Sequence, residues 1–279
     1  MNRLITSIIV CFVAIVAMAQ NNVAVEYDVT THDSDSGEPY TQKMTFVANP
    51  EKSLYFNKMS LYVDSCNSTP DGKAKLREIQ LKAWRVVQPD GTVTYDGRKL
   101  GLAPEKNIFL YVAKESERGK LSVYDFKAGE LWRYEEPLSE IKWTIIEDST
   151  KNILGFECIM AQTDYHGRTW KAWFSPEIPV HDGPWKLHGL PGLILGANSD
   201  DLFIIEAKEV GSTKQEVPGA YSVNNYSKGE RKKILADHEH YINNLESIMA
   251  AQGIKINGDG TPANLPKYDR LRKSWETDY

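Results

Sequence analysis

The chain has 279 residues, of which 41% are hydrophobic and 25% are charged. Its 33 basic and 38 acidic side chains give a formal net charge of −5. A mildly acidic chain lacks the basic face that nucleic-acid binding requires, so we expect no nucleic-acid partner.

The first residues have the pattern of a secretory signal peptide, residues 1–19. Arg3 precedes a mostly apolar run, and Ala17-Met18-Ala19 is a small-x-small cleavage pattern. The run is too short to span a bilayer comfortably, and no later stretch is apolar for long enough. We therefore expect cleavage before Gln20, export to the periplasm or secretion, and no membrane span in the mature chain. An uncleaved anchor is the alternative.

Two cysteines, Cys66 and Cys158, remain after that cleavage. An even number of cysteines in an exported chain favours a disulfide, which would stabilise the fold by roughly 4–5 kcal/mol in the chain-entropy model. Two buried free thiols are the alternative. Their separation matches neither a zinc knuckle nor a redox motif.

Residues 20–279 predict a single β-rich domain, because most of the sequence alternates apolar and polar residues. Strand-like runs begin with NVAVEYDVT, YTQKMTFVA and SLYFNKMSLYV. The segment from Gly72 to Lys82 fits either a short helix or a strand. Further along, SEIKWTIIEDS, KNILGFECIMAQTDY and RTWKAWFS predict an antiparallel meander. The strands around Leu193–Leu195 and Leu202–Ala207 are apolar on both faces, which predicts cover on both sides.

One segment, about residues 228–252, predicts a helix. Apolar side chains recur at helical spacing from Ile234 onwards, Ser227 and Glu230 have capping-box spacing, and Gly253 suits the end. We expect this long amphipathic helix near the end of the chain to pack on the sheet. The predicted fold class is mainly β, with a large, twisted, half-barrel-like antiparallel sheet and this one long helix.

A Pro-rich loop, residues 176–192, connects two of the predicted strands. Its four prolines exclude a regular strand or a helix interior, whereas its many apolar side chains predict an ordered loop packed on the sheet. Pro191 and Gly192 occupy the second and third positions of a type II turn. That turn would give Gly192 a positive φ and direct Leu193–Leu195 into the core.

The hexapeptide that ends this loop resembles the signature of the GLPGLI family, which comprises exported proteins of Bacteroidetes-type bacteria; its residues are Gly189, Leu190, Pro191, Gly192, Leu193 and Ile194. Upstream landmarks stand in the family's order, namely Gly155-Phe156-Glu157-Cys158, Ala172-Trp173-Phe174 and Glu177-Ile178-Pro179. The resemblance covers about residues 150–210. It implies no established activity, cofactor or catalytic residue, so we interpret the hexapeptide as a structural motif and expect no cofactor.

Tryptophans suggest a ligand site, with Trp170, Trp173 and Trp185 close in sequence. Trp170 and Trp173 should face opposite sides of one strand, so one of them could line a groove for an apolar or sugar-like ligand. A second covered face beneath the Pro-rich loop is the alternative.

A metal site is a separate hypothesis. His181, Asp182 and His188 offer nitrogen and carboxylate ligands of the kind that zinc accepts. Their spacing matches no standard motif, however, and loop histidines are commonly surface residues or donors to the backbone.

We expect an exported, non-enzymatic binding factor for an apolar small ligand or an envelope protein. Two alternatives stay open. One is a metal-dependent enzyme that uses the His181, Asp182 and His188 loop, and the other is a structural protein-interaction module with an exposed aromatic patch.

Overall fold

The computed structural model describes residues 22–32, 38–96, 103–139, 141–221, 223–251 and 274–279. Within them the strands are β1 (Asn22–Thr31), β2 (Tyr40–Ala48), β3 (Lys52–Phe56), β4 (Arg85–Val87), β5 (Val93–Tyr95), β6 (Tyr111–Glu115), β7 (Lys120–Lys127), β8 (Glu130–Pro137), β9 (Thr144–Ile153), β10 (Phe156–Tyr165), β11 (Arg168–Ser175), β12 (Leu193–Ser199), β13 (Phe203–Thr213) and β14 (Ser227–Lys228). The helices are α1 (Lys58–Asn67), α2 (Pro70–Trp84), α3 (Arg231–Asn243) and α4 (Leu245–Ala251), with a short 3-10 turn at Val223–Asn225.

Twelve strands form one sheet in the order β14-β8-β7-β6-β3-β2-β1-β13-β12-β11-β10-β9. Neighbouring strands are antiparallel except β14 and β8, which are parallel. The sheet is therefore mixed and is not closed into a barrel, with β14 and β9 at its two edges. The predicted mainly-β fold with one large sheet is confirmed, whereas the prediction of a purely antiparallel sheet is wrong at β14.

Most of the main core lies on one face of this sheet, which we call the core face; at β10 the cluster continues onto the other face, where Cys158 is buried. Val23, Val25, Tyr27 and Val29 of β1 are buried on the core face and alternate with half-buried residues. Removing such a side chain from water contributes roughly 1.5–3 kcal/mol. The Tyr27 hydroxyl also donates a hydrogen bond to the carbonyl of Ile194, 2.5 Å away, and so joins β1 to β12 across the core.

The central strands are covered on their other face as well. Val47 of β2 pairs with Ala24, and both belong to a second cluster that Leu54, Phe56, Tyr111 and Val217 complete. Leu61 of α1 and Ala220 pack against this cluster. The outer face is thus apolar and covered near β2, β3 and β6.

Helices α1 and α2 begin where side chains cap their first turns. The Asn57 side chain accepts a hydrogen bond from the Ser60 N–H at 3.0 Å, and Thr69 accepts one from Gly72 at 3.1 Å. Pro70 follows Thr69 in the first turn, where its missing N–H costs nothing. The ambiguous Gly72–Lys82 segment is therefore helical, and the strand-like SLYFNKMSLYV run ends as a strand at Phe56.

The predicted long amphipathic helix over 228–252 is not confirmed. Two helices, α3 and α4, are separated at Asn244, whose side chain donates to the His240 carbonyl at 2.8 Å. Asparagine competes for backbone groups in this way and is typical of helix ends. Within α3, Ile234 and Leu235 are the buried residues. This helix packs against β7 and β8.

The proposed capping box of this helix is wrong. Ser227 lies in β14, and Glu230 occupies the N-cap position without a side-chain hydrogen bond to the helix. Gly253 and the predicted signal peptide 1–19 lie outside the described residues. No helix in the described part of the chain is both long enough and apolar enough to cross a bilayer.

The predicted disulfide is absent from this structure, because Cys66 and Cys158 are both free thiols. Cys66 lies on α1 in a small cluster with Val63 and Leu76, whereas Cys158 lies on β10 in the main core. Burial raises the pKa of Cys158 to about 11, which makes its thiol a poor nucleophile. The alternative of two buried free thiols matches this arrangement.

His238 connects α3 to the turn between β7 and β8. Its Nδ1 accepts a hydrogen bond from the N–H of Ala128 at 3.1 Å, so this nitrogen must carry no proton. Burial, with a contribution from Lys127, lowers the pKa of His238 to about 3. The folded chain therefore holds this imidazole neutral, whereas the unfolded chain protonates it below about pH 6.5.

We predict that the free energy of unfolding falls as pH drops below about 6.5, by up to about 1.4 kcal/mol per pH unit from His238 alone. The unfolded state binds a proton there that the folded state excludes. Urea unfolding at pH 7 and pH 5 tests this. His238→Gln should lose that part of the pH dependence, and His240→Gln, at an exposed position, should keep it. Equal pH dependence in wild type and His238→Gln would contradict the assignment.

Candidate functional site

The Pro-rich loop is an ordered part of the core. Ile178, Leu187 and Leu190 are at most 1% exposed. The carbonyl of Ile178 accepts a hydrogen bond from the Leu193 N–H at 3.0 Å, and that of Asp182 accepts one from Ile194 at 3.1 Å. These bonds attach the loop to β12, as the predicted packing of the loop on the sheet requires.

The turn at Gly192 differs from the predicted type II turn. The Gly192 N–H donates to the carbonyl of Leu190 at 2.8 Å, which makes a tighter, three-residue turn around Pro191. A Cβ atom on Gly192 would lie 2.1 Å from the carbonyl oxygen of Ser175. Close approach of two backbone segments therefore requires the glycine, and the following Leu193–Leu195 are buried. The hexapeptide acts here as a structural motif.

Lys114 of β6 binds the Pro-rich loop through its ammonium group. Its fully buried ammonium group donates to the Asp182 carboxylate at 2.5 Å and to the carbonyls of Gly183 and Leu187 at 2.8 and 3.1 Å. All three ammonium protons are used in this way. Ser53 donates to the second carboxylate oxygen of Asp182 at 2.6 Å. Burial lowers the pKa of Lys114, and Asp182 opposes that shift.

A second buried lysine, Lys186 of the loop itself, is the centre of an ionic cluster. Its ammonium group pairs with Glu136 of β8 and lies 2.8 Å from Glu276. Arg231 at the start of α3 contacts Glu276 at 2.5 Å and both oxygens of Asp278, at 2.7 and 2.8 Å. We call these five residues the ionic cluster.

The charges of this cluster lower the pKa values of two of its carboxyl groups, Glu276 and Asp278. Burial alone would raise the pKa of Glu276, but Lys186, His166 and Arg231 outweigh it and hold that pKa below its usual range. Arg231 and His166 likewise overcome burial and hold the pKa of Asp278 well below normal. Glu276 and Asp278 are therefore ionised in the folded chain at any physiological pH.

An aromatic cluster adjoins the ionic cluster on the core face. The ring of Trp170 lies 5.2 Å from that of Trp185 and 5.8 Å from that of Trp275, between centroids. Phe203 lies 4.8 Å from Trp275, and Tyr165 contacts Trp185 edge-on at 6.2 Å. Trp170 is 0% exposed and Trp185 is 3% exposed. The predicted ligand site at Trp170 and Trp185 is therefore filled by the chain's own rings.

The predicted metal ligands do not converge. His181 is exposed, and Asp182 binds Lys114 and Ser53. His188 is buried with Nδ1 2.7 Å from the carbonyl of Lys186 and Nε2 3.0 Å from that of Ser139. Both ring nitrogens of His188 thus face backbone oxygens, which leaves neither free for a metal ion.

In the described part of the chain, one trio brings metal-ligand atoms within 4.8 Å of one another: Glu136, His166 and Glu276. No sequence pattern indicates this trio, because its members are far apart in the chain. Lys186 and Arg231 already contact both carboxylates. Because these cations neutralise the carboxylates, we interpret the trio as part of the buried ion-pair network.

Trp173 lies on the opposite, outer face of the sheet and is half-buried. It pairs with Met160 of β10, which pairs in turn with Ile146 of β9. Facing partners in neighbouring strands share a face, so these three side chains form one surface. Ile153 and Phe156 pair with each other on the same face, and all five are half-buried. We call these five residues the Trp173 patch.

Lys151 and Gly196 shape this patch. The Lys151 ammonium group lies 3.8 Å from the centroid of the Trp173 ring, a cation–π contact. Gly196 faces Trp173 from β12, and a Cβ there would lie 3.4 Å from Ile153 and 3.8 Å from the Lys151 ammonium group. Absence of a side chain at Gly196 therefore leaves room for both residues beside the Trp173 ring. In β9, residues 147–149 have no partner in β10 and form a bulge.

Three predicted ligand residues thus have different environments. Trp170 and Trp185 are buried together on the core face, and Trp173 alone stays accessible, on the outer face. The alternation that placed Trp170 and Trp173 on opposite faces is correct. The contribution of Trp275 could not be read from the sequence, because turn-rich residues separate it from every predicted strand.

Replacing Lys114 by Met tests the attachment of the loop. We predict a loss of about 3–5 kcal/mol in the free energy of unfolding, because the Asp182 carboxylate loses its cation in a buried site. Lys114→Met with Asp182→Asn should recover part of that loss. The exposed pair of Lys208 and Glu206 supplies the control, and Lys208→Met should change the free energy of unfolding by less than about 0.5 kcal/mol. Unchanged stability of Lys114→Met in urea unfolding would refute this role.

Gly192→Ala tests the close approach at the turn. We predict a loss of about 3 kcal/mol in the free energy of unfolding, because the added methyl group collides with the Ser175 carbonyl and the backbone must move. Gly211→Ala in β13 is the matched control, since its Cβ would meet no atom within 4 Å. Similar melting temperatures for the two variants would show that the turn tolerates a side chain.

Residues 164–196 are similar to a family described as "Protein of unknown function (Porph_ging)", which is associated with Bacteroidetes. This short match runs from the end of β10 through the Pro-rich loop into β12, and the resemblance to the GLPGLI family stays a prediction. No curated protein matches the chain.

Solved structures resemble the chain only distantly. The structure of PNGF-II in a C2 crystal form has a TM-score of 0.47 at 15% identity, covering 78% of this chain and 32% of that chain. MucB in complex with MucA(peri) has a TM-score of 0.24 at 8% identity, covering 75% and 57%. The Pseudomonas aeruginosa MucA/MucB complex has a TM-score of 0.25 at 11% identity, covering 80% and 59%. The chain thus spans about a third of the first structure's length.

Proposed function

We propose that this protein is a non-enzymatic, exported binding protein that takes an apolar segment of an envelope partner onto the Trp173 patch. The observation that carries this proposal is the contiguous, half-buried apolar surface that five neighbouring side chains form on the outer face of β9, β10 and β11. Contiguous apolar surface of this kind on a folded protein is typical of an interaction site.

The composition of the patch supports a protein partner. Tryptophan is the residue type most enriched among side chains that dominate binding energy, and Met160 supplies an adaptable apolar contact next to it. Lys151 lies across the Trp173 ring and can move aside or pair with an acidic group of the partner.

The shape of the patch favours an extended segment over a small molecule. Small-ligand sites are concave and enclose most of their ligand, whereas these five side chains lie on a sheet face.

As part of this proposal, we expect the sheet to be curved like half of a barrel. Twisted sheets of more than about ten strands tend to curl, and a curled sheet would present the outer face on its convex side.

We also propose that the protein is exported from the cytoplasm. Export is supported by the pattern of residues 1–19, with Arg3, an apolar run and Ala17-Met18-Ala19. The GLPGLI resemblance is supported by the structural demand for Gly192 at the end of the loop. The metal-dependent alternative receives no support from the contacts of Asp182 and His188, which engage Lys114 and backbone carbonyls respectively.

A library of random peptides displayed on phage, selected on the purified mature chain, tests this function. We predict enrichment of apolar peptides, whose affinity falls about tenfold or more in Trp173→Ser because a central aromatic anchor is lost. Tyr95→Ser, an exposed aromatic on β5, is the matched control and should bind as the wild type does.

Circular dichroism should show a folded chain in both variants. Peptide binding is compared well below the melting temperature of Trp173→Ser, which should fall because the ring also packs against the main core. Failure to enrich any peptide would overturn the proposal. So would peptides that bind wild type and Trp173→Ser equally well.

A further inference from the structure

Residues 274–279, Ser-Trp-Glu-Thr-Asp-Tyr, lie against the rest of the chain as a bound peptide would. We propose that the groove beneath them is a recognition site for segments with the pattern aromatic-Glu-x-Asp, and that a partner protein's segment of this chemistry can replace residues 274–279. We call it the strap groove, and its walls are Tyr134, His166, Gly167, Arg168, Trp170, Lys186, Trp185, Phe203 and Arg231. It lies on the core face and is independent of the Trp173 patch.

Three aromatic rings form a slot around Trp275 and select an aromatic residue at the first position of the pattern. The ring of Trp275 lies 4.8 Å from Phe203, 5.2 Å from Trp185 and 5.8 Å from Trp170, between centroids. Contacts with three rings bury much apolar area and impose a ring orientation. An aliphatic side chain in this slot would lose the ring–ring contacts.

The two acidic positions are defined by cations. Glu276 lies 2.8 Å from the Lys186 ammonium group and 2.5 Å from Arg231. Asp278 receives two hydrogen bonds from the Arg231 guanidinium group, at 2.7 and 2.8 Å. A two-pronged arginine–carboxylate contact fixes geometry as well as charge, so the spacing of the two acids is selected. Thr277 between them is exposed, and its side chain makes one hydrogen bond, from the hydroxyl to the Gly167 carbonyl at 2.9 Å, so this position tolerates another hydroxyl side chain.

The backbone of the segment is also held. Arg168 donates two hydrogen bonds to the Ser274 carbonyl, at 2.9 and 2.6 Å. The Thr277 N–H donates to the His166 carbonyl at 2.9 Å, and a Cβ on Gly167 would lie 2.3 Å from the Thr277 hydroxyl. Gly167 thus lets the segment approach the β10–β11 turn.

Contacts among the wall residues maintain the shape of the strap groove independently of residues 274–279. Trp170 and Trp185 contact each other, and Lys186 and Arg231 both pair with Glu136. Without residues 274–279, two cations would face one carboxylate, so the groove would be net positive and attract an acidic segment. Preorganisation of this kind lowers the entropic cost of binding.

The full chain with a protease recognition sequence inserted between Gly258 and Asp259, outside the described residues, provides the test. After cleavage, the released fragment should stay bound in size-exclusion chromatography. A fluorescein-labelled peptide of residues 270–279 should then exchange into the groove, measured by fluorescence anisotropy. The uncleaved chain should bind this peptide about tenfold or more weakly, because its own segment competes at high effective concentration.

Peptide variants test the pattern without changing the protein. Peptides with Trp275→Ala or Asp278→Asn should each bind about tenfold more weakly, whereas Thr277→Ser should bind within about twofold of the parent. Unfolding of the chain after cleavage would overturn the proposal, because the segment would then be an integral part of the core. Absence of exchange would overturn it too, as would equal binding of the labelled peptide to cleaved and uncleaved chains.

Discussion

A loop with four prolines has few N–H groups of its own, and although some of its carbonyls accept hydrogen bonds from within the loop, others depend on donors from elsewhere in the structure. Lys114 donates to the carbonyls of Gly183 and Leu187, and Trp143 donates to that of His188 at 2.9 Å. Unpaired buried carbonyls would each cost on the order of 1–3 kcal/mol. Folding this loop into the core therefore requires the burial of two lysines, Lys114 and Lys186.

That arrangement connects distant parts of the chain. Lys114 comes from β6 and Lys186 from the loop, while their acidic partners come from the loop, β8 and residues 274–279. A buried ion pair adds little stability over an apolar pair of the same volume, but loss of one partner is costly. The two lysines therefore specify which segments meet at the loop more than they add stability.

Local patterns predicted the elements whose signals are local. Alternation identified β1, β10 and β11 and placed Trp170 and Trp173 on opposite faces, as pairing with Met160 confirms for Trp173. Helix α1 was missed because its capping residue Asn57 lies within a strand-like run, and α2 was left ambiguous because its apolar residues fit either a short helix or a strand.

The sites were harder to predict because they depend on contacts between distant residues. Asp182 and His188 have the chemistry of metal ligands, and only the fold shows that Lys114 and two carbonyls occupy them. Trp275 and Glu276 carry no periodic signal, so their place in the core could not be deduced from neighbours in sequence. A lysine that is 0% exposed, such as Lys186, likewise contradicts the usual expectation for its residue type.

The bulge in β9 has a consequence for the solubility of the protein. An edge strand offers a row of backbone donors and acceptors on which a second sheet can grow, and apolar neighbours such as Trp173 would add to that tendency. Residues 147–149 interrupt this row, and exposed Glu147 and Asp148 place negative charge at the interruption. Two copies that met edge to edge would bring like charges together over a broken ladder. The interrupted, negatively charged edge therefore opposes edge-to-edge aggregation even though the apolar Trp173 patch lies beside it.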